Sequence, residues 1–159
     1  MATEVDPAEQ DVVTDHPELD VLPVWPQETI AVLVTTDPGP HAIPVSWPVR
    51  AGDRRILISL RTNRGSLARL RERPEVALLI LGGGNVALSA RGRATVIAEQ
   101  MPEAEDYAAV RIEVDVIDDH RQSAFAVDRG IQRTVLDDTE LRALEGRVET
   151  LRTWAEQQH

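Results

Sequence analysis

RRILISLRTNRGSLARLRERPEVALLIL, residues 54–81, is the stretch on which the fold turns. Arg54 to Arg61 is β-branched and apolar enough to read as a strand. TNRG then reads as a loop and SLARLRER as a two-turn helix. Leu67 and Leu70 form its buried stripe, Ser66 stands where a cap is needed, and Pro74 stops it. EVALLIL, Glu75 to Leu81, is a strand again.

Outward from this stretch, strands continue in both directions. TIAVLVTT (Thr29 to Thr36) reads as a strand buried on both faces or nearly so, DPGP as a turn, and HAIPVSWPV (His41 to Val49) as a second strand whose prolines favour an edge. Downstream, GGG at 82–84 joins EVALLIL to a long strand, NVALSARGRATVI, in which Gly92 suggests a bulge. AVRIEVDVID alternates cleanly and is a further strand, and a weaker one is expected around Gly130 to Leu136. The chain closes with a helix from Asp137, where Asp137 and Glu140 have capping-box spacing. The expectation is mainly β: a six- to seven-stranded antiparallel barrel with a short helix after the third strand and a C-terminal helix. No βαβ alternation is present, which excludes a Rossmann fold.

Three segments follow. Residues 1–20 carry seven acids, no arginine and little apolar periodicity, and are expected to be a mobile arm. Residues 21–136 form the barrel domain, onto which Trp25 is expected to pin the extended segment LDVLPVWP. Residues 137–159 form the terminal helix. Its apolar seam (Leu141, Leu144, Val148, Leu151 and Ala155, with Trp154 beside them) is flanked by charges that include Arg142, Arg147 and Arg152. The seam packs either on its own barrel or on a partner subunit.

Charge narrows the function. The 159 residues carry a net charge of −10, which argues against broad contact with nucleic acid. There is no cysteine, hence no disulfide or thiolate chemistry. No apolar run is long enough to span a bilayer and the N-terminus lacks a basic start, so neither membrane nor signal peptide is expected, and a cytoplasmic location is. All 17 basic residues are arginine, and eight of them fall between Arg50 and Arg73. Most read as a solvated face, but a planar guanidinium suits phosphate, and one or two are expected to face a bound anion.

Common catalytic sites can be set aside. No G-x-S-x-G elbow is present. His41, Asp118, Asp119 and His120 could ligate a metal only if folding gathered them, and no metal is expected. GGG lacks the lysine of a phosphate loop. What remains is Arg61 to Ser66, where helix amides, a hydroxyl, a glycine and two arginines form a small phosphate cradle. Taken alone, this loop reads rather as a helix cap with solvated cations, because such helix starts are common.

The order of PHAIPVSW, RRILISLRTNRGSLARLRERPEVALLIL and NVALSARGRATVI, over residues 28 to 136, resembles the flavin-binding split-barrel superfamily related to pyridoxamine 5′-phosphate oxidase. The resemblance implies a homodimer with flavin sites at the subunit interface. It places backbone groups of Pro44, Val45 and Ser46 at the isoalloxazine ring, Ser59, Leu60 and Arg61 beside the ribityl chain, and Arg64, Gly65 and Ser66 at the phosphate. Many members carry a lysine near this helix start; here Arg64 or Arg69 has to supply the charge. A closing segment with the tryptophan and arginine that grip a pyridoxal ring is not found, so vitamin B6 oxidation is not expected. The implied activity is a flavin-dependent oxidoreductase acting on a small molecule, with FMN as cofactor, or alternatively a deazaflavin coenzyme. A competing reading is a non-catalytic barrel that sequesters a flavin or another ring compound. No catalytic side chain is named.

Overall fold

The computed structural model describes residues 17–157. Eight strands and two helices follow in order: β1 (Glu18–Leu19), β2 (Ile30–Thr35), β3 (His41–Ser46), β4 (Val49–Arg50), β5 (Arg55–Arg61), α1 (Gly65–Glu72), β6 (Glu75–Gly82), β7 (Val86–Ala98), β8 (Tyr107–Asp119) and α2 (Asp138–Gln157). Every pairing is antiparallel, and the strands run β3-β2-β6-β7-β8-β5-β4 across a single sheet, with β1 added on β8. β3 and β4 are separated in the chain by Trp47 and Pro48 alone, yet they stand at opposite ends of this path. Since an extended residue spans at most about 3.6 Å, the sheet must curl until its two edges meet. The result is a split barrel.

The predicted strand from His41 to Val49 is therefore two strands with different partners. Trp47 adopts a left-handed backbone (φ 52), and Pro48 has no amide to donate, so the ladder breaks there and the chain passes from β2 to β5. The weak strand expected around Gly130 to Leu136 does not form. Residues 120–137 are instead an irregular strap that crosses the β6–β7 turn. It is held by Asn85, whose amide donates to the Val127 carbonyl and whose Oδ1 accepts from the Val127 amide, both at 3.0 Å. The bulge at Gly92 is present. The β7–β8 register shifts between Arg91 and Gly92, and a Cβ at Gly92 would overlap the Glu113 carbonyl.

Two apolar clusters lie on either side of the barrel wall. The inner one gathers Leu33, Ile56, Ile58, Leu78, Ile80, Leu88, Val110 and Ile112, and Leu67 and Leu70 of α1 belong to it. The outer one lies between the wall and α2, where Leu144, Val148, Leu151 and Ala155 meet Ile30, Trp47, Val49 and Leu57. The seam of the terminal helix thus packs on its own barrel. Asp137 starts that helix, its carboxylate accepting from the amides of Thr139 (2.9 Å) and Glu140 (3.4 Å). Trp25 pins the entry segment, donating from Nε1 to the Pro48 carbonyl at 2.9 Å, and Leu22 is buried beside it. The acidic arm expected over residues 1–20 lies outside the described residues except at its end, where Glu18 and Leu19 pair with Asp118 and Ile117.

Candidate functional site

Strand alternation sorts the site residues. In β5, Ile56, Ile58 and Leu60 point into the inner cluster, so Ser59 and Arg61 point outward. In β3, Val45 points inward while Pro44 and Ser46 point outward. β3 and β5 touch but are not paired. Pro44 and Ser46 therefore lie on the same outer face as Ser59 and Arg61, on either side of the unzipped joint of the barrel. Val45 and Leu60 can offer that joint only backbone groups.

Beyond Arg61 the chain tightens. The Arg64 amide donates to the Arg61 carbonyl at 3.2 Å, and the Thr62 amide donates to the Asp106 carbonyl at 2.9 Å. α1 then begins at Gly65, with Arg64 as its extended N-cap residue and no side chain closing the cap. The cap expected from Ser66 is not made. The helix starts before that residue, which leaves Ser66 inside the first turn and only 2% exposed. The first-turn amides thus lack a capping acceptor, and no acidic side chain occupies that turn. Arg69 folds back over this end: a Cβ on Gly65 would lie 2.8 Å from its Nη1. Uncapped amides with a guanidinium held over them, and exposed Arg64 alongside, are a donor set that fits a phosphate.

Arg61 lies 5.3 Å from the centre of the Tyr107 ring and 4.0 Å from the Asp106 carboxylate. The same ring carries Arg147 of α2, whose guanidinium stacks at 3.6 Å. Arg147 is 8% exposed and its Nε has no hydrogen-bond partner. Burial pulls its pKa down, and Arg61 adds to that, while Tyr107, Glu140 and Asp106 oppose it. Sequence reasoning placed Arg147 among the solvated flanks of the helix. The signal that could have corrected this is its spacing, three residues after Leu144 and four before Leu151, inside the apolar seam.

The Asp118–His120 run is engaged in pairs. Arg91 grips Asp118 through Nε and Nη2 at 2.7 and 3.1 Å, which raises the arginine's pKa. Arg121 binds Asp119 and holds its carboxyl below the usual range, and His120 Nε2 sits 2.8 Å from Ser89 Oγ. Among the described residues no three metal-ligating side chains converge, and no helix is long and apolar enough to cross a membrane.

Comparison with known proteins gives the family and the fold. Residues 20–155 match the family described as pyridoxamine 5′-phosphate oxidase. Among solved structures, HupZ of Group A Streptococcus superposes with a TM-score of 0.51 at 12% identity, covering 64% of this chain and 90% of that one. An F420 reductase superposes with a TM-score of 0.50 at 13% identity, covering 59% and 92%. General Stress Protein 26 from Bacillus anthracis str. Sterne gives 0.48 at 16% identity, covering 67% and 90%. At such identities the likeness is one of fold. No curated protein matches the chain.

Proposed function

Because the chain belongs to the pyridoxamine 5′-phosphate oxidase family, we propose that it is a flavin-binding oxidoreductase that holds FMN at the β3–β5 joint and acts on a small molecule. The observation that carries this reading is the uncapped start of α1, with Arg69 folded over Gly65 and Arg64 beside it. Arg64, Gly65, Ser66 and Arg69 hold the phosphate, Ser66 through its amide because its side chain is buried. Ser59, Leu60 and Arg61 flank the ribityl chain, and Pro44, Val45 and Ser46 present backbone groups to the ring. Bound FMN supplies hydride acceptance and donation. The residues of this chain bind it, orient it and fix the local electrostatics, with positive potential at the phosphate end of an otherwise acidic protein.

The protein works as a homodimer in this reading. Support comes from the outward face of β2 and β6, where half-buried Val32 and Val34 stand directly opposite Leu79 and Ala77. A deazaflavin coenzyme is the second reading, since its longer anionic tail would draw on the same arginine-rich helix start, where Arg64 is exposed.

Titration of the purified protein with FMN, riboflavin and the deazaflavin coenzyme, followed by absorbance and flavin fluorescence, tests the assignment. Saturable binding of FMN, tighter than riboflavin, is expected, and turnover with a reduced nicotinamide distinguishes an enzyme from a sequestering barrel. Binding of none of the three overturns the reading. Light scattering that returns a monomer with FMN present overturns the dimer.

A further inference from the structure

On the far side of Trp47 from Ser46, the strap leaves a cleft of 460 Å³ between itself, the entry to β2 and the start of α2. That volume lies within the range of small-molecule sites, about 300–1,000 Å³. Its floor is apolar, built from Ile30, Trp47, Leu141 and Leu144. Its wall is the irregular strap, from which residues 128–133 and Val135 all line the cleft, Arg129, Ile131, Arg133 and Val135 among them. The wall thus presents two cations together with the exposed apolar side chains of Ile131 and Val135.

Two features single this cleft out. Neither Arg129 nor Arg133 joins any ion pair or side-chain hydrogen bond among the described residues, although the carboxylates of Glu28 and Asp128 line the same cleft. Their forks remain available. Trp47, on the floor, holds a left-handed backbone that bulky residues rarely adopt, and it stays 6% exposed. Strain of this kind persists where the surroundings over-determine it, and it clusters at ligand sites.

We propose that the cleft binds a flat, apolar carboxylic acid, with its ring over the Trp47–Leu144 floor and its carboxylate on the guanidinium groups of Arg129 and Arg133. Apolar surface below and two unengaged guanidinium groups at the side are complementary to a body and a head of that chemistry. The site is independent of the flavin reading, since none of its residues belongs to the phosphate cradle and binding requires no cofactor.

The test uses the full-length protein without added flavin, titrated with 2-naphthoate and its neutral isostere 2-naphthamide. Binding is followed by the assigned indole NH resonance of Trp47. Naphthoate is expected to move that resonance saturably. Arg129→Gln and Arg133→Gln, both exposed and unpaired positions, should each weaken naphthoate by about tenfold or more and leave naphthamide unchanged. Loss of both ligands to the same extent, or absence of any saturable shift at Trp47, overturns the proposal. Repetition with FMN present separates the two sites: failure of FMN binding with retained naphthoate binding removes the flavin reading alone.

Discussion

Replacing Arg147 with methionine should make the protein more stable. The wild-type guanidinium is buried, joins no salt bridge and leaves Nε without an acceptor among the described residues, and has the Tyr107 ring as its compensation. A desolvated cation–π contact is worth about 2 kcal/mol. Against it stand an orphaned donor, which costs about 1–3 kcal/mol, and desolvation of the charge, which costs several kcal/mol more. Methionine keeps the unbranched stem against the ring and regains a sulfur–aromatic contact of about 1 kcal/mol. These terms favour methionine by several kcal/mol, and attraction of the guanidinium to Glu140 and Asp106 offsets part of that. The net expectation is a gain of about 1–4 kcal/mol for Arg147→Met, the range seen when buried charges are replaced by apolar groups. Arg147→Ala also removes stem methylenes at about 0.8 kcal/mol each and should fall about 2 kcal/mol below the methionine variant. Urea unfolding followed by circular dichroism measures both, and each kcal/mol should appear as about 2–4 °C in Tm. A methionine variant less stable than wild type by 1 kcal/mol or more would refute the reasoning, because attraction to Tyr107, Glu140 and Asp106 would then outweigh desolvation.

Four further outcomes are expected. Gly92→Ala should cost about 3 kcal/mol in urea unfolding, since its Cβ would enter the Glu113 carbonyl across the bulge; a neutral effect would show that the bulge can shift. Asp119 is held below its ordinary value of 3.8 by Arg121, so its stabilisation is present above that value and lost as pH falls through the lowered one. The stability difference between wild type and Asp119→Asn, measured from neutral pH downward, should therefore shrink only in the acid range, and a constant difference would contradict this. Arg64→Ala should weaken FMN by about 1.5–3 kcal/mol, or roughly 10- to 150-fold, and riboflavin hardly at all; equal losses in a fluorescence titration would place the arginine elsewhere. Truncation before Asp137 exposes Ile30, Trp47 and Leu57 and should lower stability while light scattering still finds the proposed dimer, because α2 covers its own barrel.

Most of the barrel was legible because its signals are local. The apolar runs of β2, β5 and β6, the stop at Pro74 and the bulge at Gly92 each follow from residues within one element. The failures share a different cause. Trp47–Pro48 reads as strand interior, and only the meeting of two sheet edges shows that the chain changes partners there. Residues 130–136 have strand-like composition, but the strap pairs with no edge. At the site, the position of the arginine-rich helix start was readable, whereas the cap role of Ser66 depended on a one-residue choice of helix boundary. Arg147 and the strap cleft were hidden because their neighbours come from distant parts of the chain: Tyr107 for the one, Trp47 and Leu144 for the other.

The short passage from β3 to β4 makes the backbone itself the clasp of the barrel. Ordinary sheet edges part by breaking hydrogen bonds or packing, and their spacing drifts with temperature and side-chain substitution. Here Ser46 and Val49 are joined through two residues, so the joint near them has a width set by covalent geometry. The far end of the joint, toward His41 and Arg61, has no such covalent tether. A ligand laid along it would meet a gap that is fixed at one end and untethered at the other. Inserting a single glycine between Trp47 and Pro48 would release the fixed end, turning a gauge into a hinge while every side chain lining the joint stayed the same.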